Sequence, residues 1–356
     1  MKPPVPHLPA SPPALSDSDR DALHDLYVRG TPENTLRAYE RDLVYISAWK
    51  ALRSIHGRFE AALSWPEKED VALAFVLDHS RDLRDAPAED PARQVAEGLI
   101  GQGLRKAATC PAPSTLDRRI ASWRAFHRMK NLASPFDSPM IKQARAKGRR
   151  ANATKRAPKS AHPITRRVLE AMLETCFGTM RDCRDRAILV LGFASGGRRR
   201  SELTKLMRDD VDMREFESKG LVWISLVETK TTIKGETPRL VLKGRAAQTL
   251  VHWIETAEIK DGPLFRPVSK ADRVLQRGLS SDAVYQIVQR RLKLAGYPDG
   301  FASPHGLRSG FLTQAALDGA PIQAAMRLSL HRSMGQAQQY YDDVDIAENP
   351  AADLLD

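Results

Sequence analysis

Residues 142–159 divide the sequence, because they carry eight Lys and Arg side chains and not one acidic residue. Glycine, proline and small polar residues are interspersed among the charges, so no apolar stripe is available to dock the segment in a hydrophobic core. We therefore predict an interdomain linker over residues 142–160. A flexible tether needs no such charge, and contact with a phosphate backbone explains the composition better.

Length and net charge fit this division. The chain has 356 residues, a length that corresponds to about two domains. We predict a disordered, proline-rich leader over 1–15, a helical domain over 16–141 and a second domain over 161–356. The 55 Lys and Arg against 44 Asp and Glu give a net charge of +11, which attracts polyanions such as nucleic acid. The alternative is that this charge only keeps the protein soluble.

The three cysteines, Cys110, Cys176 and Cys183, argue against a disulfide framework, since they are an odd number spread over a long chain. A reducing cytoplasm fits them. Cys176 and Cys183 have no His or Cys partner at metal-ligand spacing, so we predict that they are buried apolar residues. The sequence has no stretch of roughly 18 uninterrupted apolar residues, and we expect a soluble, cytoplasmic protein that does not span a membrane.

Amphipathic helices are predicted in the first part. A Thr-Pro start signal at 31–32 is followed by apolar residues at every third or fourth position. Two more helices are predicted to begin at Pro66 and Ser114. The helix from Ser114 has basic residues on its remaining faces, and we expect Arg118 and Arg119 to contact DNA. A solvated charged face is the alternative.

The second part combines helices with a few strands. Leu221–Val227 and Arg239–Leu242 are predicted to be two short strands, with Lys230 in the connection between them. Helical periodicity prevails elsewhere, for example over 184–193 and 281–294. The predicted fold class is therefore mainly α, with an all-helical bundle followed by an α+β domain that contains a small antiparallel sheet.

Three motifs in the second part contain residue types suited to phosphate chemistry. They are SGGRRRSELTKL at 195–206, PHGLRSG at 304–310 and LSLHRSMGQAQQYYDD at 328–343. His305 and Arg308 stand three apart on one helical face, so they can address one anion together. His331 stands nine residues before Tyr340.

The order of these residues resembles that of the tyrosine recombinases, the phage-type integrases, and in particular their Cre-like members with two domains. The matching residues are Gly197, Arg199, Ser201, Glu202, Leu203, Lys230, His305, Arg308, His331 and Tyr340. Residues 31–49 look like the first helix of the family's core-binding domain, a SAM-like helical bundle. The last segment, IAENPAADLLD, resembles the short helix that Cre-like members pass to a neighbouring protomer.

For two positions of the family pattern, the first arginine and the lysine, the sequence offers more than one residue. Arg198, Arg199 and Arg200 are three candidate clamps. Register with the Ser-Glu-Leu that follows selects Arg199, whereas Arg198 stands where the family usually has an apolar residue. In the strand connection, the Thr-Lys-Thr context favours Lys230 over Lys234.

The last motif contains two adjacent tyrosines. Tyr340 and Tyr341 lie about 100° apart on a helix, so only one of them can face the arginines. The spacing from His331 favours Tyr340. Leu330 departs from the family pattern, which usually has glycine before the histidine.

The resemblance implies that DNA is cleaved and rejoined through a covalent 3′-phosphotyrosyl intermediate, without metal, ATP or another cofactor. The implied roles are a phosphate clamp for Arg199 and Arg308, attack for Tyr340, proton acceptance for His305, protonation of the leaving 5′ oxygen for Lys230 and a phosphate hydrogen bond for His331. Nearby guanidinium charges are expected to favour the phenolate of Tyr340.

The implied partners are double-stranded DNA at specific sites and further copies of the chain, a dimer on one site and a tetramer in synapsis. Contacts with DNA are predicted for a set of basic side chains: Arg118, Arg119, Lys142, Arg145, Lys147, Arg149, Arg150, Arg198 and Arg200. Two alternatives remain open. One is DNA relaxation in the manner of a type IB topoisomerase, and the other is an inactive DNA-binding protein of the same fold.

Overall fold

A computed structural model describes residues 16–57, 59–152, 159–226 and 238–345. The chain separates into two compact units, Met1–Lys155 and Arg156–Asp356. Three predictions lie outside the described residues: the leader over 1–15, the choice between Lys230 and Lys234, and the C-terminal segment 346–356.

The described residues of the first unit form helices and no strands. The helices are α1 (Asp17–Gly30), α2 (Glu33–Ser54), α3 (Glu69–Asp78), α4 (Pro91–Gly101), α5 (Pro113–Met129) and α6 (Pro139–Ala151). Capping side chains mark two of the helices that apolar spacing does not reveal. Ser16 and Asp19 form a reciprocal capping box at α1, and Asp90 accepts from the first backbone N–H groups of α4.

Aromatic side chains fill the core of the first unit. Trp49, Phe75 and Trp123 are fully buried, with ring centroids 4.9 Å apart for Trp49 and Phe75 and 5.4 Å apart for Phe75 and Trp123. Edge-to-face pairs of this kind contribute about 0.5–1.5 kcal/mol beyond their burial. Beside them, Lys50 Nζ lies 2.8 Å from Glu67 Oε2, and both side chains are shielded from solvent. Loss of either partner would leave a buried charge unpaired, so this pair ties the loop at Glu67 to α2.

The structure differs from the predicted linker over residues 142–151, which belong to α6. Ile141 is fully buried in the core of the first unit, and Ala144 packs against the same core. Arg145 and Arg149 donate to the two carboxylate oxygens of Asp117 on α5, at 2.8 and 2.5 Å. Ile141, Ala144 and the two pairs with Asp117 therefore help to dock a segment that has no apolar stripe of its own. Residues 153–158 lie outside the described part of the chain.

The second unit combines helices with three short strands. In chain order they are α7 (Arg166–Glu174), α8 (Met180–Ala194), α9 (Arg200–Lys205), β1 (Val211–Asp212), α10 (Phe216–Lys219), β2 (Leu221–Ser225), β3 (Arg239–Lys243), α11 (Gly244–Thr256), α12 (Ser281–Leu294), α13 (His305–Leu317), α14 (Ile322–Ser329) and α15 (Met334–Asp345). None of the helices within the described ranges is long and apolar enough to cross a bilayer.

The strands form one antiparallel sheet in the order β1-β2-β3. On β2, Val222 and Ile224 point into the core while their neighbours are half-exposed, as the two-residue period of a strand requires. Ile224 is paired with Val211 on one side and with Leu240 on the other. The expected pair of strands is present, and the short strand β1 adds a third.

Helix α8 is the centre of the second unit and holds α12 through a buried carboxylate. Asp185 on α8 is fully buried and accepts hydrogen bonds from Arg184 Nη2 and Arg291 Nη2, both at 2.7 Å. Arg290 pairs with the same carboxylate, and Arg291 also reaches Asp182 at 2.5 Å. Because α13 packs on the same helix, α8 sets the distance between the helices that surround the predicted site.

Candidate active site

A turn of two glycines brings together three segments that are distant in sequence. Gly196 and Gly197 have φ angles of +95° and +73°, a region that L side chains rarely adopt. A Cβ on Gly196 would lie 2.3 Å from the carbonyl oxygen of Leu328, and a Cβ on Gly197 would lie 2.2 Å from the Cα of Arg308. Only glycine allows this approach, so the turn sets how closely α9 can meet α13 and the end of α14.

Arg199 follows the turn and caps α9. Its Nη1 donates to Glu202 Oε1 at 2.5 Å, and its backbone N–H donates to the other oxygen of that carboxylate at 3.2 Å. Glu202 is buried, whereas about 31% of the Arg199 side chain is exposed. The buried carboxylate therefore holds the guanidinium in place while part of it remains available to an anion.

Arg308 of α13 connects the glycine turn to the segment after α14. It is 3% exposed; its Nη1 donates to the carbonyl of Gly197 at 3.1 Å, and its Nη2 lies 3.2 Å from His331 Nδ1. Burial, assisted by the charges of Arg199 and Arg198, lowers the pKa of Arg308 to about 10. The group is still a cation at neutral pH, so the site holds at least two fixed positive charges.

His305 is the first residue of α13, three residues before Arg308 on the same face. Its backbone N–H donates to Ser303 Oγ at 3.2 Å. Burial, followed by the charges of Lys159, Arg308 and Arg199, lowers the pKa of His305 to about 4. The imidazole is neutral at physiological pH and is able to accept a proton.

His331 follows the left-handed residue Leu330, whose φ is +54°. This conformation is uncommon for residues other than glycine, and a glycine would adopt it with less strain. His331 Nδ1 lies 2.7 Å from Ser329 Oγ as well as 3.2 Å from Arg308 Nη2. Burial, followed by the neighbouring arginine charges, lowers the pKa of His331 to about 4.

The two tyrosines of α15 occupy different surroundings. Tyr341 is 7% exposed, and its hydroxyl donates to the carbonyl of Ala320 at 3.0 Å. Tyr340 is half-buried and interacts with the charge of Arg308. The pKa of Tyr340 is raised, because burial outweighs the effect of Arg308. The charge of Arg308 favours the phenolate as expected, but burial has the larger effect, so the protonated phenol is favoured in the protein without substrate.

The predicted arginines and the first histidine line one cavity of about 330 Å³. Arg199, His305 and Arg308 face it together with Tyr285 and Ser303, which the sequence motifs do not include. Tyr285 lies on α12 and is 38% exposed. No sequence signal distinguishes it from other surface tyrosines, since only the packing of α12 places it at this cavity. The cavity has the size and charge to receive a phosphodiester.

A family model described as the phage integrase family matches residues 163–346, which is more than half of the chain. The chain belongs to the phage integrase family. Arg199, His305, Arg308, His331 and Tyr340 all lie within the matched residues.

This integrase is similar in sequence to proteins that are named as recombinases. It is 28% identical over 331 residues to an integrase/recombinase XerD homolog of Selenomonas ruminantium, and the match covers 91% of this chain and 85% of the relative. It is 32% identical over 188 residues to tyrosine recombinase XerD of Xanthomonas axonopodis pv. citri, with 50% of this chain and 57% of the relative covered. The prediction of a tyrosine recombinase is confirmed, and the topoisomerase-like alternative is not favoured.

A solved structure shows the same fold. The Tn1549 transposon integrase in complex with transposon right end DNA is 15% identical, with a TM-score of 0.55, and the match covers 90% of this chain and 92% of that one. The mainly helical fold with a small antiparallel sheet is thereby confirmed.

Within the integrase domain, the structure separates the three consecutive arginines. Arg198 is 2% exposed, and its Nη2 donates to the carbonyl of Leu328 at 2.7 Å. The Arg198 guanidinium braces the end of α14, and Arg198 also lines the cavity, so its contact with DNA stays a prediction. Arg200 lines the same cavity, and its side chain is 46% exposed and lies 3.1 Å from the exposed carboxylate of Asp282. Arg200 therefore remains a candidate for DNA contact.

The basic residues predicted on α5 are committed to contacts within the first unit. Arg118 pairs with the buried carboxylate of Asp42 while its own side chain is 45% exposed. Arg119 is partly buried, with its guanidinium carbon 3.2 Å from the centroid of the Tyr45 ring. Arg118 can still offer one edge to a phosphate, whereas Arg119 serves the packing of α5 on α2.

The basic side chains of α6 differ in how far they are exposed to solvent. Arg145 is partly buried at Asp117. The remaining predicted contacts of this helix are exposed to solvent: Lys142, Lys147, Arg149 and Arg150. A helix presents them in a fixed array, which suits a phosphate backbone better than a flexible tether would.

Proposed function

We propose that this integrase cleaves and rejoins DNA at specific sites, with Tyr340 attacking the scissile phosphodiester to form a 3′-phosphotyrosyl bond. One observation carries the proposal: Arg308 donates to Gly197 and to His331, and its charge also acts on Tyr340. Three separate motifs of the chain therefore meet at one cation.

The arginines supply the phosphate clamp. Arg199 and Arg308 present planar donor groups that match the non-bridging oxygens of a phosphodiester. Glu202 holds Arg199, and the backbone of Gly197 holds Arg308, so both are oriented before substrate binds. Donors fixed in advance stabilise the charge that develops in the transition state, and loss of one typically costs on the order of a hundredfold in rate.

Tyr340 needs a base when it attacks. Its pKa is raised, so the phenol is protonated at neutral pH, and neutral His305 is the group we assign to accept the proton. The bond between the tyrosine oxygen and phosphorus forms as the bond from phosphorus to the 5′ oxygen breaks. The phosphotyrosyl bond keeps the energy needed for rejoining, so no ATP is consumed.

We assign protonation of the leaving 5′ oxygen to Lys230, with Lys234 as the competing residue. Both lie outside the described residues. A flexible ammonium group in the connection between β2 and β3 suits the transfer of a proton to a departing alkoxide.

The partners follow from the chemistry of strand exchange. A second 5′ hydroxyl must attack the phosphotyrosyl bond, so we propose two protomers on each duplex site and four in synapsis. Exposed cations of α6 and α5, among them Lys147 and Arg118, would contact the duplex backbone. The cytoplasm, where the chromosome is accessible, is the location that this activity requires.

A covalent trap tests the nucleophile. DNA from the regions flanking the gene is screened for binding, and the bound fragments are nicked beside the candidate phosphates so that a short strand diffuses away after cleavage. We expect a protein–DNA adduct that resists detergent with the wild type and with Tyr341→Phe, and none with Tyr340→Phe, which should still bind the DNA. An adduct that needs Tyr341 instead would overturn the assignment, and no adduct with any folded protein would overturn the activity.

A sulfur substitution tests the proton donor. Replacing the bridging 5′ oxygen by sulfur gives a leaving group that needs no protonation. We expect Lys230→Ala to cleave the sulfur substrate at the wild-type rate while cleaving the ordinary one poorly. If Lys234→Ala shows this pattern and Lys230→Ala does not, the general acid is Lys234.

A further inference from the structure

Ser329, the last residue of α14, contacts the site although no motif includes it. It is fully buried, and its Oγ lies 2.7 Å from His331 Nδ1. The other acceptor within reach is the carbonyl of Met326, at 3.5 Å. The shorter contact is the stronger one, so the single hydroxyl proton points toward the imidazole.

Arg308 decides the direction of that hydrogen bond. Its Nη2 lies 3.2 Å from the same His331 nitrogen, and a guanidinium group can only donate. Nδ1 must therefore carry no proton, and the Ser329 hydroxyl must donate to it as well. In the neutral imidazole, the proton is then on Nε2, the ring nitrogen on the opposite side.

The backbone around Ser329 is held from several directions. The N–H of Leu330 bonds to the carbonyl of Met326, and the left-handed conformation of Leu330 turns the chain so that the side chains on either side of it meet. Arg198 holds the carbonyl of Leu328, one residue before the serine. The position of the hydroxyl is thus fixed by the fold rather than by the histidine.

We propose that Ser329 is a positioning residue, whose hydroxyl together with Arg308 fixes His331 as the tautomer with its proton on Nε2, so that the ring offers a donor to a non-bridging phosphate oxygen. The inference rests on the proposed function for its role in DNA cleavage. The tautomer itself is a property of the free protein. Without the hydroxyl, one donor remains at Nδ1, and the competing tautomer becomes accessible.

Nitrogen NMR of the full chain tests the tautomer without DNA. The protein is labelled at histidine nitrogens, and His331→Gln identifies the resonances of that ring among the nine histidines. At neutral pH we expect His331 Nδ1 to be unprotonated in the wild type, and Ser329→Ala to show a mixture of both tautomers. Ser80→Ala is the control, since Ser80 belongs to the first unit and its hydroxyl donates to the carbonyl of Val76 at 2.7 Å. A protonated Nδ1 in the wild type, or an unchanged His331 in Ser329→Ala, would overturn the proposal.

Adduct formation on nicked DNA tests the consequence. We expect Ser329→Ala to slow the reaction about tenfold, the scale of one hydrogen bond, with DNA binding unchanged, and we expect Ser80→Ala to react at the wild-type rate. In a His331→Gln background, Ser329→Ala should add no further loss, because the serine acts through the histidine. An equal additional loss in that background would contradict the positioning role. If the wild type forms no adduct, the proposed function fails while the NMR result still decides the tautomer.

Discussion

The Cα of Gly197 lies so close to Arg308 that a Cβ on the glycine would stand 2.2 Å from the arginine Cα. The arginine also donates to the carbonyl of this glycine at 3.1 Å. Two residues 111 positions apart in the chain thus define one edge of the active site. The phosphate clamp depends on a backbone contact as much as on the arginine side chains.

Gly197→Ala should therefore abolish adduct formation and destabilise the second unit. The methyl group would collide with the α13 backbone, and the φ of +73° adds strain, for a total of about 3 kcal/mol or more. Gly220→Ala is the matched control, because Gly220 has a φ of +65° but no atom within 4 Å of a Cβ. We expect the control to lose about 1 kcal/mol and to keep its activity. Urea unfolding and adduct yield measure both effects, and equal losses in the two variants would contradict the close approach.

Conservative changes at adjacent arginines test the register of the clamp. Arg199→Lys should reduce the rate of adduct formation about a hundredfold, since lysine cannot reproduce the planar donors held by Glu202. Arg200→Lys should reduce it much less, because Arg200 is paired with the exposed Asp282. Single-turnover cleavage at saturating protein gives both rates. The reverse order would mean that the clamp is Arg200.

The exposed cations of α6 should govern the salt dependence of DNA binding. Lys147→Gln and Arg150→Gln each remove one exposed charge, so each should lower the slope of log affinity against log salt by roughly one. Arg119→Gln should leave the slope unchanged and instead lower the stability, since Arg119 packs on Tyr45. Fluorescence anisotropy over a salt series measures the slopes. A drop for Arg119→Gln as large as for the other two would place Arg119 at the DNA.

The buried histidines should make the fold sensitive to mild acid. Burial lowers the pKa of His79 to about 3 and those of His305 and His331 to about 4. The unfolded chain binds these protons below about pH 6.5, before the folded protein does. The stability that comes from their neutral forms is complete above about pH 6.5 and is lost as the pH falls toward 4. The urea concentration at the unfolding midpoint should therefore be lower at about pH 5 than at neutral pH.

His79→Gln provides the control for this acid sensitivity. His79 is fully buried in the first unit, where its Nδ1 bonds to the carbonyl of Phe75, whereas the site residues belong to the second unit. We expect the urea midpoint of the variant to differ less between neutral pH and about pH 5 than that of the wild type. A wild-type stability that does not change with pH would contradict the lowered pKa values.

Much of the fold follows from local patterns. The Thr-Pro start signal and apolar spacing predict α2, which spans Glu33–Ser54, and alternating burial marks β2 at Leu221–Ser225. Helix α1 could not be predicted from apolar spacing, because it is mostly exposed and has no strong apolar face. Helix α6 could not be predicted in this way, because two of its arginines are paired with Asp117, whose proximity no local pattern reveals.

The sequence by itself determined which residue types could form the site and in what order, since spacing and motif context suffice to select Arg199, His305, Arg308, His331 and Tyr340 as candidates. Only the tertiary structure decided that Arg198 is buried, that the Tyr341 hydroxyl is bound to Ala320, and that Ser329 faces His331. The physical reason is that helical periodicity specifies which residues share a face. Which face meets which partner depends on packing between segments that lie far apart in the chain.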